Sequence, residues 1–157
     1  MAGRPQRDRP KRAIQLNVDE AVYLLVLSLI DGEEPLSMSR SQLFESLVLL
    51  AREEHIANAE EDFAARARAM RARWLDDELR TCRPVSRRSL HLTIGDEALG
   101  FLDMLALRYR PLLRTRGDAA SLVLQFAAER LTTRERNAWM KRRLEEVMLK
   151  YPVRYQR

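Results

Sequence analysis

Residues 13 to 18 and 89 to 94 are the stretches that limit most strictly how this chain can fold. In the first, Ile14, Leu16 and Val18 alternate with Ala13, Gln15 and Asn17. In the second, Leu90, Leu92 and Ile94 alternate with Ser89, His91 and Thr93. A period of two puts one set on each face of a β-strand. A lone strand leaves its backbone donors and acceptors without partners, so it needs a second strand beside it. No other stretch alternates convincingly, and each of these two is the other's expected partner. The pairing is open between a single chain and a swapped pair of chains.

The sequence after each strand is also repeated. At an offset of 76 residues Arg12 falls on Arg88, Leu16 on Leu92, Leu29 on Leu105, Pro35-Leu36 on Pro111-Leu112, Arg40 on Arg116, Ala51 on Ala127 and Glu53 on Glu129, with no gap. Ser39 falls on Thr115, one helix N-cap replacing another. A duplication on this scale decides the fold. Each copy reads as strand, helix, turn and capped helix. In the first copy the helix starts at Asp19 or Glu20, with acid at its positive end. Val22, Leu25, Val26 and Leu29 are its expected inner face, and Tyr23, Leu24, Leu27 and Ile30 make it apolar nearly all round. Such a helix must be covered on both sides. Asp31-Gly32 ends it. Leu43, Phe44, Leu47, Val48, Leu50 and Ala51 are the buried side of the next helix, which runs on through His55.

Between the copies, Ile56, Phe63, Ala67, Met70 and Trp74 form a helical stripe whose flanking charges nearly balance. The stripe is expected to cover the outer side of the first copy's apolar helix; the competing use is an oligomer seam. Thr81 to Pro84 breaks that helix. After the second copy, Thr132 and Glu135 form a capping box, and Met140, Leu144, Val147, Met148 and Tyr151 share a face. The resulting division is a disordered basic arm over 1–11, the first copy over 12–54, a linker helix over 55–83, the second copy over 84–131 and a basic C-terminal helix and tail over 132–157. Residues 12–131 are expected to fold as one unit. With scarce glycine and an apolar share of 46%, the chain is expected to be mainly α with a short two-stranded antiparallel ribbon.

The net charge is +5 and the basic excess sits at both ends: Arg4, Arg7, Arg9 and Lys11 in the arm, and eight basic against three acidic residues after position 131. A polyanion partner fits this distribution. A single cysteine, Cys82, excludes an internal disulfide and fits a reducing cytoplasm. The N-terminal stretch has no apolar core of a secretory signal, and the longest apolar run is too short to span a bilayer, so a cytoplasmic protein with no membrane partner is expected. Cys82, His55 and His91 do not assemble a metal site by spacing. No Gly-rich phosphate loop or nucleophile-base pair is present, so neither enzymatic activity nor a cofactor is expected.

Strand, helix, turn and capped helix behind basic residues resembles the ribbon-helix-helix family of DNA-binding proteins. The resemblance covers Arg12 to about Glu54 and Arg88 to about Arg130. It implies that two strands pair into an antiparallel ribbon that enters the DNA major groove. Most members carry one copy and dimerise; here both copies are in one chain, as in tandem members among conjugative-transfer proteins. The expected function is sequence-specific binding of double-stranded DNA, as a transcriptional repressor or as a DNA-bending accessory of a plasmid relaxosome. The alternative is an antitoxin-like or scaffold module that binds a protein partner, or a second copy, through its apolar helices.

The side chains opposite the core face would meet the bases: Ala13, Gln15, Asn17, Ser89, His91 and Thr93. Gln and Asn pair bidentately with adenine, and Ala touches a thymine methyl. A charged His91 would make binding pH-sensitive. The N-termini of the second helices, at Ser39, Arg40 and Ser41 and at Thr115, Arg116 and Gly117, are expected to hold phosphates, as are Arg12, Arg87 and Arg88. The segment from Asp31 to Met38 and its copy are longer than the family's tight turn, and Gly95 and Gly100 weaken the second copy's first helix by about 1 kcal/mol each.

Overall fold

A computed structural model of the protein describes residues 11–30, 39–57, 60–130 and 134–150. The chain runs β1 (Lys11–Asp19), α1 (Glu20–Ile30), α2 (Arg40–Ala57), α3 (Glu60–Thr81), β2 (Arg87–Gly95), α4 (Asp96–Arg108), α5 (Arg116–Arg130) and α6 (Arg134–Lys150). The protein is mainly helical with one two-stranded antiparallel sheet. β2, α4 and α5 each begin 76 residues after β1, α1 and α2.

The two strands pair within one chain, with Gln15 opposite His91, Ala13 opposite Thr93 and Asn17 opposite Ser89. His91 is also the residue onto which the 76-residue offset carries Gln15. An approximate two-fold axis therefore passes through this central pair and relates one half of the molecule to the other. Leu16, Val18, Leu90, Leu92 and Ile94 face inward and are buried, as the alternation requires. A two-stranded sheet is all edge, and its outward N–H groups need acceptors. The helices supply three of them. Ser41 Oγ accepts from Thr93 N at 3.1 Å, Glu45 Oε2 from Gly95 N at 2.8 Å, and Ser121 Oγ from Asp19 N at 2.9 Å.

The core is built from α2 and α5, which lie under the ribbon, with α1 and α4 packed beside them. Leu47, Val48, Leu50 and Ala51 on α2, and Leu122, Val123, Phe126 and Ala127 on α5, are almost completely buried. Both helices are enclosed on nearly every side because each half has a third helix. α3 lies against α5, and α6 lies against α2, so each third helix crosses to the other half. Phe63, Ala67, Met70 and Trp74 are the buried stripe of α3; Leu144 and Val147 are buried on α6.

Three expectations from the sequence change here. The α3 stripe covers chiefly α5 and not α1, so the outer side of α1 stays open, with Leu24 46% and Leu25 48% exposed. Tyr23, not Leu25, turns inward on α1, because a helix that is apolar nearly all round has no face fixed by pattern alone. Ile56 belongs to the end of α2 and is exposed, so it is no part of the stripe. The Thr132–Glu135 capping box, the segment from Asp31 to Met38, and Met140, Met148 and Tyr151 lie outside the residues and side chains described.

Candidate functional site

All six side chains selected by the alternation are exposed on one face of the ribbon: Ala13, Gln15, Asn17, Ser89, His91 and Thr93. They form three cross-strand pairs centred on Gln15 and His91. Within this face Gln15 Nε2 donates to Ser89 Oγ at 2.8 Å, a diagonal contact between the two halves. The dyad-related contact does not exist, because His91 faces Ala13 diagonally and the alanine side chain has no polar atom.

The N-termini of α2 and α5 lie at opposite edges of this face. Ser39 caps α2: its Oγ accepts from Gln42 N at 3.2 Å, and Gln42 Oε1 accepts from Ser39 N at 3.0 Å. This reciprocal arrangement satisfies two end groups at once. The next residue but one, Ser41, is the one that holds Thr93 N. Thr115 caps α5 in the same way, its Oγ1 accepting from Asp118 N at 3.1 Å, while Asp118 Oδ2 accepts from Arg114 N at 2.9 Å. Gly117, equivalent to Ser41, touches β1 directly. A Cβ there would sit 2.2 Å from the Asn17 carbonyl oxygen, so only glycine allows this approach.

The arginines at the strand ends form a second symmetric feature. Arg12 pairs with Asp96 at 3.0 Å, and its counterpart Arg88 pairs with Glu20 at 3.6 Å. Each arginine thus meets the acid that starts the other half's first helix. Arg12 keeps 66% and Arg88 41% of its side chain exposed. Such surface pairs contribute little and exchange partners easily. Arg40 donates to Tyr23 Oη at 2.7 Å. Arg116 makes a two-pronged contact with Asp103 at 2.6 and 3.1 Å, and this hydrogen bond raises its pKa further above the ordinary arginine value.

Two basic residues expected to meet phosphate are held by acids of the fold instead. Lys11 is the first residue of β1, not part of an arm. Its Nζ lies 2.8 Å from Glu45 Oε1 with both side chains buried, which removes it from any phosphate-binding role. Arg87 lies 3.1 Å from Asp118 and stacks over the Trp74 ring at 4.3 Å, so it serves the α3–α5 contact. Arg4, Arg7 and Arg9 lie outside the described residues.

Sequence reasoning also passed over a buried polar junction beside the ribbon. Asp19 Oδ1 accepts from Ala21 N at 3.1 Å and so caps α1. Its Oδ2 accepts from Trp74 Nε1 at 2.8 Å and from Arg73 at 2.7 Å. Burial pushes the Asp19 carboxyl up, but the hydrogen bonds from Trp74 and Arg73 and the Arg73 charge outweigh it, leaving the pKa below the ordinary carboxylate value. Asp118, besides capping, receives Arg71 at 3.1 Å. The signals were an acid inside an apolar run at Glu45 and an acid three residues after a cap at Asp118. His55 is a core residue, 2.8 Å from Tyr109 Oη and edge-on to Phe63 and Phe101.

Among the described residues no cluster of His, Cys, Asp and Glu has the makings of a metal site, and no helix is long and apolar enough to cross a membrane. No protein-family model, curated protein or solved structure matches the chain.

Proposed function

We propose that this protein binds double-stranded DNA in a sequence-dependent way, with the exposed face of its ribbon in the major groove, as a single-chain tandem protein of ribbon-helix-helix type. The observation that carries this reading is one of placement. Six side chains of base-reading chemistry share one open face, and two capped helix N-termini lie at its two edges, all related by an approximate two-fold axis. A ribbon of two strands, about 5 Å apart, suits a groove about 12 Å wide. Duplex DNA has its own local two-fold axes, and a binder with matching symmetry places both edges against equivalent phosphates. Arg12 and Arg88 would then leave their surface acids for phosphate, and the first turns of α2 and α5 would offer N–H donors. Repression of transcription and assembly of a relaxosome are both roles for such a binder.

Substitution of Gln15→Ala together with Asn17→Ala tests this reading. Both side chains are exposed, so the fold should be kept while specific binding falls by roughly a hundredfold or more. An electrophoretic shift on a site selected from random DNA reads the loss. Unchanged affinity for that site would remove the ribbon as the reading surface.

One observation favours a second reading, a docking module for another protein: the uncovered outer side of α1 at Leu24 and Leu25. Salt separates the two, since DNA binding falls steeply with ionic strength and apolar docking does not.

A further inference from the structure

The approximate symmetry of the ribbon breaks most sharply at its centre. The dyad passes through a pair of unlike residues, Gln15 and His91. These two differ in chemistry and in how they are held. Gln15 has one amide N–H committed to Ser89 Oγ at 2.8 Å. That contact turns the amide to a definite setting and leaves Oε1 and the second N–H for a ligand. An acceptor beside a donor is the pair that an adenine edge requires, at N6 and N7. His91 has only ring nitrogens to offer, and its ring N–H matches the acceptors of guanine. Its diagonal neighbour is Ala13, which cannot orient it.

Resting on the proposed DNA-binding function, we infer that Gln15, oriented by Ser89, gives the ribbon a direction on DNA. It takes adenine on one side of the centre while His91 takes guanine at the dyad-related position. The protein then sits on its site in one orientation, and the site has an asymmetric centre. Ser89 acts as a positioning residue supplied by the opposite half of the chain. Fixing the amide before binding lowers the ordering cost of the contact and so favours this orientation over its reverse. The flanking equivalents, Ala13 with Ser89 and Asn17 with Thr93, differ less in what they recognise.

The test compares sites selected from a random DNA pool by the full chain and by two variants. Ala13→Ser with His91→Gln rebuilds the Gln15–Ser89 arrangement on the other side of the dyad. It should convert the central positions of the selected site from asymmetric to palindromic. Ser89→Ala should keep the same consensus, while its preference for that site over one with inverted central base pairs falls by about tenfold. Thermal melts establish that both variants fold, as expected for exposed positions. An unaltered asymmetric centre with the double variant, or an unaltered preference with Ser89→Ala, overturns the inference. So does a palindromic centre selected by the unmodified protein. If the unmodified protein enriches no sequence at all, DNA reading itself fails, which is a separate result.

Discussion

The two halves of this chain have one backbone plan and different chemistry at almost every polar junction. At the start of the first helix, Asp19 caps α1 and ties it to α3 through Trp74 and Arg73. Its counterpart is Gly95, which gives α4 no side-chain cap, although both residues donate their N–H to the second helix beside them, Asp19 to Ser121 and Gly95 to Glu45. At the edge of the ribbon, Ser41 meets β2 with a hydroxyl, whereas Gly117 meets β1 with bare backbone. On the outer surface, α1 exposes Leu24 and Leu25, whereas the equivalent positions of α4 are an exposed Gly100 and a buried Phe101. The features that agree between halves are those geometry demands of both: strand phase, capped second helices, and an arginine meeting the opposite helix's first acid. The features that differ are junctions where each half faces a partner it never meets in the other half. A duplicated chain folded on itself can specialise each side of a contact separately, which a symmetric pair of identical chains cannot.

The third helices give the largest test of that contrast. α3 is bonded to the buried Asp19 at the ribbon's end through Trp74 as well as packed, while α6 buries Leu144 and is bonded to α2 through the half-buried Arg143–Glu53 pair at 2.7 Å. Trp74→Ala removes a fully buried indole and the donor to Asp19, and should destabilise the protein by about 3–5 kcal/mol. Trp74→Phe keeps most of the ring and removes the indole N–H, so it should still cost about 1–3 kcal/mol. Leu144→Met, which conserves volume, should cost less than about 1.5 kcal/mol. Urea unfolding of the three variants decides. If Trp74→Phe proves as mild as Leu144→Met, the two third helices are equivalent packing elements and their asymmetry is without energetic meaning.

A smaller effect separates the two ribbon edges. Gly117→Ala places a methyl 2.2 Å from the Asn17 carbonyl oxygen, and the Asn17 backbone carbon and nitrogen are also close, at 3.0 and 3.2 Å. Backbone on both sides cannot rotate away, so α5 must back off from β1, at about 1–3 kcal/mol. Ser41→Ala in the other half loses only the hydroxyl that accepts from Thr93 N, which should cost about 0.5–1.5 kcal/mol. Equal losses in chemical denaturation would mean that the second helices sit at the same distance from their strands.

These junctions also mark where the amino-acid sequence stops being readable. The ribbon, its outward face, the caps at Ser39 and Thr115 and the 76-residue duplication were all legible, because a period of two and a capping residue are local properties. The register was implicit in the duplication, since pairing Gln15 with its own repeat is what a two-fold arrangement requires. The hidden features depend on contacts distant in the chain. Nothing near Lys11 reveals that Glu45 will bury it, and nothing near Arg87 reveals Trp74 as its platform. The stripe of α3 was visible, but its partner was not, because an apolar stripe fits any apolar surface. Assigning it to α1 overlooked α5, which as an enclosed helix had as great a need of cover.

The smallest expected effect is present at neutral pH and lost in acid, and it too belongs to one half only. Asp19 keeps a pKa below the ordinary carboxylate value in the folded protein, because hydrogen bonds from Trp74 and Arg73 and the Arg73 charge outweigh the cost of burial. A folded pKa lower than the unfolded one stabilises the protein at pH values above the unfolded pKa, about 3.9. That contribution disappears as pH falls through the folded value. Asp19→Asn keeps the shape but not the charge, so it should be less stable than the unmodified protein at neutral pH. The difference should shrink below about pH 4 as the unmodified carboxyl takes up its proton. Thermal melts of both proteins from neutral pH into acid trace the two curves, which should converge. Curves that stay parallel across the whole range would show that Asp19 acts through its shape and hydrogen bonds alone. The ion pair with Arg73 would then add nothing that Gly95 lacks at the same position in the second half.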